Sequence, residues 1–462
     1  MKKRYVFMVI AVMFLVAFSF QTGLAEGWKQ SFHAGTFDKN ENYMGGTETM
    51  NLVAHKGKLY AGFSYWMDWS WSYIQYGITG KPTQVLVKDS VDGKWRLDYQ
   101  ADKYKMRVDS LCSLTFTTDA TGAPLPQPVT LLLAGLCDAT YPTGEAVVCV
   151  RDDHANQWIK TKLMDIASVG GVTIRAIGLH RDKVTGIDRV FAGSYPGGIF
   201  SGVYDPTKPG NILWEAAPEF SDYNDRVMSF AECNGELYAA IKPAIYKRVD
   251  GTNPTWKKVY EYTTYPADRP STQGGSSGMR ALTAIPNPKG KGEVLLMALE
   301  GFGSKIVYLD PSDNNSVTTE LVMDAYFEKQ WGDDWRRAED NKWNYVVTAY
   351  NDMVPVTDPK TGEDLLLLGL LAYNLSTPDT AWYLVRHPDA TYTLHEIPYI
   401  FDLRGSPKSL PGTRAIRISP FAEDKGQVLY FGGFDCLGKT SHNTAWIYSV
   451  DISTVLGVSQ NK

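Results

Sequence analysis

The stretch GKLYAGFS at 57–64 returns as VTLLLAGLC (129–137), DRVFAGSYP (188–196), GELYAAIKP (235–243), GEVLLMALEG (292–301), EDLLLLGLLA (363–372) and GQVLYFGGFD (426–435). These seven copies of one phrase, an apolar strand ending in small residues, lie roughly 45 to 75 residues apart and mark an internal repeat. Another strand precedes each copy, as in IRAIGLH (174–180), VMSFAEC (227–233), MRALTAI (279–285) and RAIRISP (414–420). A third follows, as in TQVLVKD (83–89), AVVCVRD (146–152), AIYKRVD (244–250), KIVYLDP (305–311), AWYLVRH (381–387) and AWIYSVD (445–451). A fourth, often led by Trp, completes most units: KWRLDYQ, QWIKTKL, ILWEAAP, TWKKVYE and TLHEIPY. Turns such as Val91-Asp-Gly-Lys-Trp95 and Val249-Asp-Gly-Thr252 supply the positive φ that tight hairpins require.

A four-stranded antiparallel unit cannot bury both of its faces alone, whereas packing such units radially around an axis buries them all. The sequence therefore predicts an all-β chain folded as a seven-bladed β-propeller of four-stranded antiparallel blades, in one domain spanning 26–462. The paired small residues let neighbouring blades approach. The last repeat lacks its fourth strand, and Gly27-Trp-Lys-Gln-Ser-Phe-His33 matches the missing Trp-led strand, so this N-terminal strand is expected to close the ring and remove an exposed edge. The pattern resembles seven-bladed β-propeller proteins in general over nearly the whole chain after the leader. Ser90-Val-Asp-Gly-Lys-Trp95 resembles a sialidase Asp box one residue short, but the other turns depart further, and WD, Kelch and NHL signatures do not repeat. Likeness of fold is a weak guide to activity.

Met-Lys-Lys-Arg, an uncharged run from Tyr5 to Phe20 and small residues at Gly23 and Ala25 read as a signal peptide over 1–25, placing the protein outside the cell or in the periplasm. A retained anchor is the other reading of the same run. Once Lys2, Lys3 and Arg4 are removed, the formal charge goes from −5 to −8, and no basic tract is present, which disfavours nucleic acid and anionic membrane as partners. No later segment is long and apolar enough to span a bilayer. The five cysteines (112, 137, 149, 233 and 436) form no CxxC pair; a bridge among Cys112, Cys137 and Cys149 and buried free thiols are both open.

Aligning the starts of the innermost strands gives one charged residue per blade: Glu48, Asp109, Arg175, Arg226, Arg280, Asp352 and Arg414. By the propeller resemblance, the face where these strands begin is where ligands bind. One reading is an ion network sealing the channel. The other is a pocket whose arginines grip carboxylate, phosphate or sulfate bidentately. Arg175, Arg280 and Arg414 share the phrase Arg-Ala-Ile/Leu, which secures their alignment.

The first blade's loop Tyr65-Trp-Met-Asp-Trp-Ser-Trp-Ser-Tyr-Ile-Gln-Tyr76 carries six aromatics in twelve residues. Tyr65, Trp66, Trp69 and Trp71 offer flat faces for a glycan, an aromatic ligand or a protein partner, unless the loop packs on itself. An insertion from Asp324 to Tyr345, with Trp331, Trp335, Arg336, Arg337 and Trp343, predicts a short helix acting as a lid. No HExxH or local ligand cluster indicates a metal, and no motif names a cofactor. The catalytic candidates are His442, with Lys439 and Asp435 beside it, and the carboxylates Glu48, Asp109 and Asp352. The expected function is binding of an anionic or carbohydrate-like ligand at the channel mouth. An enzyme (lyase, lactonase or glycoside hydrolase) and a protein-interaction scaffold are the alternatives.

Overall fold

The computed structural model describes residues 27–66, 82–167, 171–222, 224–262, 278–301, 303–332, 345–372, 381–397, 411–435 and 443–457. The leader lies outside this set. The described chain is nearly all β, and its strands run antiparallel in successive units.

After β1 (Lys29–His33) and a small hairpin of β2 (Thr36–Phe37) and β3 (Tyr43–Met44), the first unit is β4 (Glu48–His55), β5 (Lys58–Ser64), β6 (Gln84–Lys88) and β7 (Arg96–Gln100). The second is β8 (Lys105–Thr118), β9 (Pro124–Asp138), β10 (Thr143–Asp152) and β11 (Gln157–Ala167). The third is β12 (Val172–Arg181), β13 (Asp188–Tyr195), β14 (Gly198–Tyr204) and β15 (Ile212–Trp214). The fourth is β16 (Val227–Cys233), β17 (Glu236–Ile241), β18 (Ala244–Val249) and β19 (Thr255–Glu261).

The fifth unit is β20 (Met279–Pro286), β21 (Glu293–Leu299), β22 (Lys305–Asp310) and β23 (Ser316–Val322), followed by helix α1 (Met323–Trp331). In the sixth, the innermost strand is split into β24 (Val346–Thr348) and β25 (Val354–Thr357), both paired with β26 (Asp364–Ala372), which continues to β27 (Ala381–Arg386) and β28 (Tyr392–Ile397). The last group is β29 (Pro411–Ile418), β30 (Val428–Asp435) and β31 (Trp446–Asp451). Strand β1 pairs with β31, His33 standing opposite Trp446. Trp28, just before β1, is buried against Phe431 and Tyr383 at ring-centroid distances of 5.2 and 6.5 Å.

Every copy of the repeated phrase falls on the second strand of its unit, and its small residues explain how units meet. A Cβ at Gly62 would lie 2.7 Å from the Val108 side chain, one at Gly135 2.6 Å from Ile174, and one at Gly193 2.5 Å from Val227. At Gly369 the obstacle is the Thr413 carbonyl at 2.6 Å, and at Gly432 it is the Thr49 side chain at 2.5 Å. Each of these partners stands on the innermost strand of another unit: β8, β12, β16, β29 and β4. Glycine is required there by close approach, not by backbone conformation.

A polar latch joins some neighbouring units through their later strands. Arg151 on β10 makes a bidentate pair with Asp98 on β7, at 2.8 and 3.1 Å, and Trp158 Nε1 donates to the same carboxylate at 2.8 Å. Arg248 on β18 likewise grips Glu219 of the third unit at 2.7 and 3.2 Å, with Trp256 donating at 2.9 Å. Arg386 on β27 grips Glu320 on β23 at 2.8 and 2.7 Å, with the Tyr392 hydroxyl donating at 2.6 Å. In the first unit Trp95 Nε1 donates to Ser31 on β1 at 2.9 Å. Nothing in the structure explains why Trp214 Nε1 of the third unit has no partner. Histidines reinforce two of the junctions: His55 bridges Ser113 and Asp153, and His180 bridges Glu232 and Asp250.

Among the described residues Cys112, Cys137, Cys149 and Cys233 are free thiols, and Cys436 lies outside them. Burial pushes the Cys137 and Cys149 thiols up to about 11, as expected of small apolar fillers.

Candidate functional site: a buried guanidinium cluster

All but the fifth and sixth innermost strands shift register by one residue near their start, at Met50, Asp109, Arg175, Met228 and Arg414. In β20 the shift spans Ala281 and Leu282, and in the sixth unit the interruption spans 349–353. A bulge leaves one residue outside the ladder and re-aims its side chain. Asp109, Arg175 and Arg414 are themselves the re-aimed residues, Arg280 adjoins the shift in β20, and Glu48 and Arg226 stand two residues before the shifts at Met50 and Met228. Ala281 and Ala349, with φ of 52° and 50°, hold left-handed backbone beside this region, a conformation that disfavours a residue with a Cβ.

The structure brings Glu48, Asp109, Arg175, Arg226, Arg280 and Arg414 into one electrostatic cluster. Asp109 accepts from Arg175 Nη1 at 3.1 Å, from Arg107 Nη2 at 3.0 Å and from the Thr173 hydroxyl. Glu48 accepts from Arg414 Nη1 at 2.7 Å. Arg280 donates to Glu300 at 2.6 Å and to the Tyr350 carbonyl at 3.0 Å, while the Tyr345 hydroxyl donates to the other Glu300 oxygen. The Tyr350 ring lies under two guanidiniums, Arg414 at 4.2 Å and Arg280 at 4.8 Å. Among the described residues Arg226 makes no ion pair; its guanidinium faces the Tyr195 ring at 5.3 Å.

Five guanidiniums (Arg107, Arg175, Arg226, Arg280, Arg414) therefore meet three carboxylates (Glu48, Asp109, Glu300) among the described residues. The guanidiniums differ: against the effect of burial, Asp109 and Glu300 hold Arg107 and Arg280 above the ordinary arginine value, whereas Arg175 and Arg226 fall below it. Burial pushes Arg175 down to about 9; Asp109 opposes this, but Arg280, Arg414 and Arg107 reinforce it. Arg226 is lowered by burial and then by repulsion from Arg107. For Asp109, burial favours the neutral acid, but Arg107, Arg175 and Thr173 outweigh it and hold the carboxyl below its ordinary value. Asp109 is thus ionised at neutral pH and suited to organising guanidiniums, not to donating a proton.

Four buried polar atoms of the cluster have no hydrogen-bond partner: Nε of Arg107, Arg226 and Arg414, and Oε2 of Glu48. Buried polar groups in native proteins are nearly always paired, so unpaired ones call for an explanation.

A cavity of about 350 Å³ runs along the innermost strands from this cluster. Asp109 and Arg175 line it together with Asn51, Ser110, Ser229 and the pair Arg417–Asp352.

Asp352 is a correction. The broken innermost strand of the sixth unit places Tyr350, not Asp352, beside Arg280 and Arg414. Asp352 instead pairs with Arg417 in the cavity. Tyr65 is a second correction. At 1% exposure it packs with Met106, Cys137 and Ala139 and cannot present a ring face to a ligand. Trp66 offers its face inward, to Arg107 at 4.5 Å. Trp69, Trp71, His442, Lys439, Trp335, Arg336, Arg337 and Trp343 lie outside the described residues. The expected short helix is α1, where Trp331 stacks on Phe327 at 4.8 Å and meets Trp382 edge-on at 5.5 Å. Sequence reasoning missed Arg107, Glu300 and Tyr350. A charged residue at the end of an otherwise apolar second strand was the one visible signal, and it pointed to Glu300.

Among the described residues no group of three or more His, Cys, Asp or Glu is arranged to hold a metal ion. No helix among them is long and apolar enough to cross a membrane.

No family model matches the chain, and no curated protein matches it. Solved structures do. Penicillium chrysogenum α-L-arabinanase complexed with arabinobiose is 10% identical, with a TM-score of 0.41 over 92% of this chain and 98% of that one. Trypanosoma rangeli sialidase in complex with sialic acid is 11% identical, with a TM-score of 0.41 over 93% of this chain and 59% of that one. Saccharomyces cerevisiae Sqt1 is 9% identical, with a TM-score of 0.42 over 92% and 100%. Likeness this slight carries no argument about substrate or activity.

Proposed function

We propose that the chain is an exported seven-bladed β-propeller, its last blade completed by β1, that binds an anionic ligand where the innermost strands begin. The propeller reading is supported by the antiparallel units, by the β1–β31 pairing and by the glycine contacts that pack Gly432 against β4. Export rests on the basic, apolar and small-residue order of residues 1–25.

The observation that carries the ligand reading is the surplus of guanidinium over carboxylate in a buried cluster. An ion network built only to seal a channel would be expected to balance its charges, because a buried unpaired charge is expensive. Among the described residues Arg226 pairs with no carboxylate, although the Asp109 charge acts on it. A ligand bringing negative charge and several acceptor oxygens would neutralise the excess and take up the vacant Nε donors of Arg107, Arg226 and Arg414. Site residues for this reading are Arg175, Arg226, Arg280 and Arg414, with Arg107 added.

The test is titration calorimetry of the full chain with sulfate, phosphate and galacturonate against neutral galactose. The anions should bind in a salt-dependent way and galactose should not. Arg226→Met should lower anion affinity at least about tenfold, a loss of about 1.4 kcal/mol. Equal binding of galactose, with no effect of Arg226→Met, would overturn the reading.

A further inference from the structure

Resting on that anion-binding reading, we propose that the ligand is a hydroxylated organic anion, whose acidic group meets the guanidiniums and whose hydroxyl donates to Glu48. Glu48 is 1% exposed, and its two carboxylate oxygens are treated differently. Oε1 accepts from Arg414 at 2.7 Å, whereas Oε2 is buried without a donor. The unsatisfied atoms on the charged side chains of the cluster thus comprise three N–H donors and one carboxylate acceptor. A ligand that completes the set must accept from the former and donate to the latter.

Simple anions fail half of this requirement. Sulfate or an alkyl carboxylate offers acceptors only, and it places further negative charge near an oxygen that already lacks a donor. A ligand ammonium would satisfy Glu48, but it would enter a site where guanidiniums already exceed carboxylates. An uncharged hydroxyl donates without adding charge of either sign. Anions carrying hydroxyls along a carbon chain or ring therefore fit the vacant atoms, with the acidic group and the hydroxyl on one molecule.

Gluconate and hexanoate form a suitable pair, each a six-carbon monocarboxylate, one bearing hydroxyls and the other none. The wild-type chain should bind gluconate at least about tenfold more tightly than hexanoate, since a site built around a hydrogen-bonding hydroxyl discriminates against its absence. In Glu48→Gln the side-chain oxygen stays on Arg414, which turns the vacant acceptor into an N–H donor. Gluconate should then lose its advantage, while sulfate and hexanoate bind as well as before or better. Equal wild-type affinity for gluconate and hexanoate overturns this inference and leaves the anion reading standing. If sulfate, hexanoate and gluconate all fail to bind, the anion reading falls and this inference with it. The wild-type ratio decides the matter even should Glu48→Gln fold poorly, and sulfate binding by the variant reports that its site is intact.

Discussion

Arg226 and Arg248 belong to the same unit, but Arg226 is half-buried, with its Nε shut off from water, and its surroundings are the opposite of those of Arg248. Arg248 is fully buried and saturated: Glu219 takes two of its N–H groups and Asp182 another at 2.7 Å, and Asp250 pairs with it as well. Burial alone would lower its pKa, but Glu219 and Asp182 more than reverse that, and Arg248 is held above the ordinary arginine value. Arg151 and Arg386 follow the same pattern with Asp98 and Glu320. Arg226 finds only an aromatic face and is held below the ordinary value. Where an arginine serves the packing of units, this fold matches it with a bidentate carboxylate and an aromatic donor. Where the innermost strands begin it leaves donors vacant, and that contrast is what the proposed ligand site rests on.

Three variants sharpen or break that contrast. The largest effect is expected from deleting residues 27–33. This removes β1, the buried Trp28 and Phe32 and the Ser31 acceptor of Trp95, and truncating two buried aromatics alone costs at least about 6 kcal/mol. Thermal unfolding followed by circular dichroism should fall sharply; an unchanged midpoint would mean that β1 does not complete the last unit. Next is Arg248→Met, which leaves Glu219, Asp182 and Asp250 buried with their main partner gone. Urea denaturation should show a loss of about 3–5 kcal/mol, and a loss below about 1 kcal/mol would erase the distinction between latch and cluster.

The second strands were legible because runs such as VLYFGG combine β-branched and aromatic residues with small ones at the contact points, and the structure puts Gly432 and Gly369 against neighbouring units. The latches were not legible. Arg151 and Asp98 are 53 residues apart, Arg248 and Glu219 29, and Arg386 and Glu320 66, so no fixed spacing announces the pairing. In the cluster, Arg175, Arg280 and Arg414 were readable from a shared local phrase. Arg107 was not, because a count of one charge per strand has no room for a second charge two residues before the bulged Asp109. Tyr350 was missed, and Asp352 chosen, because the split between β24 and β25 cannot be counted from hydrophobic alternation. Tyr65 opens the aromatic run from 65 to 76, which reads as loop, yet its ring turns back into the core.

The smallest effect is the most direct test: the folding stability of Arg226→Met measured by urea denaturation in a buffer free of multivalent anions, with and without added sulfate. Methionine keeps a favourable contact with the Tyr195 ring while removing a half-buried charge that has no carboxylate partner among the described residues, and such replacements are often neutral or stabilising. The account predicts stability unchanged or raised by about 1 kcal/mol without sulfate, together with loss of the sulfate-induced stabilisation that the wild type shows. A loss of about 3 kcal/mol in plain buffer, matching Arg248→Met, with sulfate affecting neither protein, would contradict it and make the central arginines part of the packing.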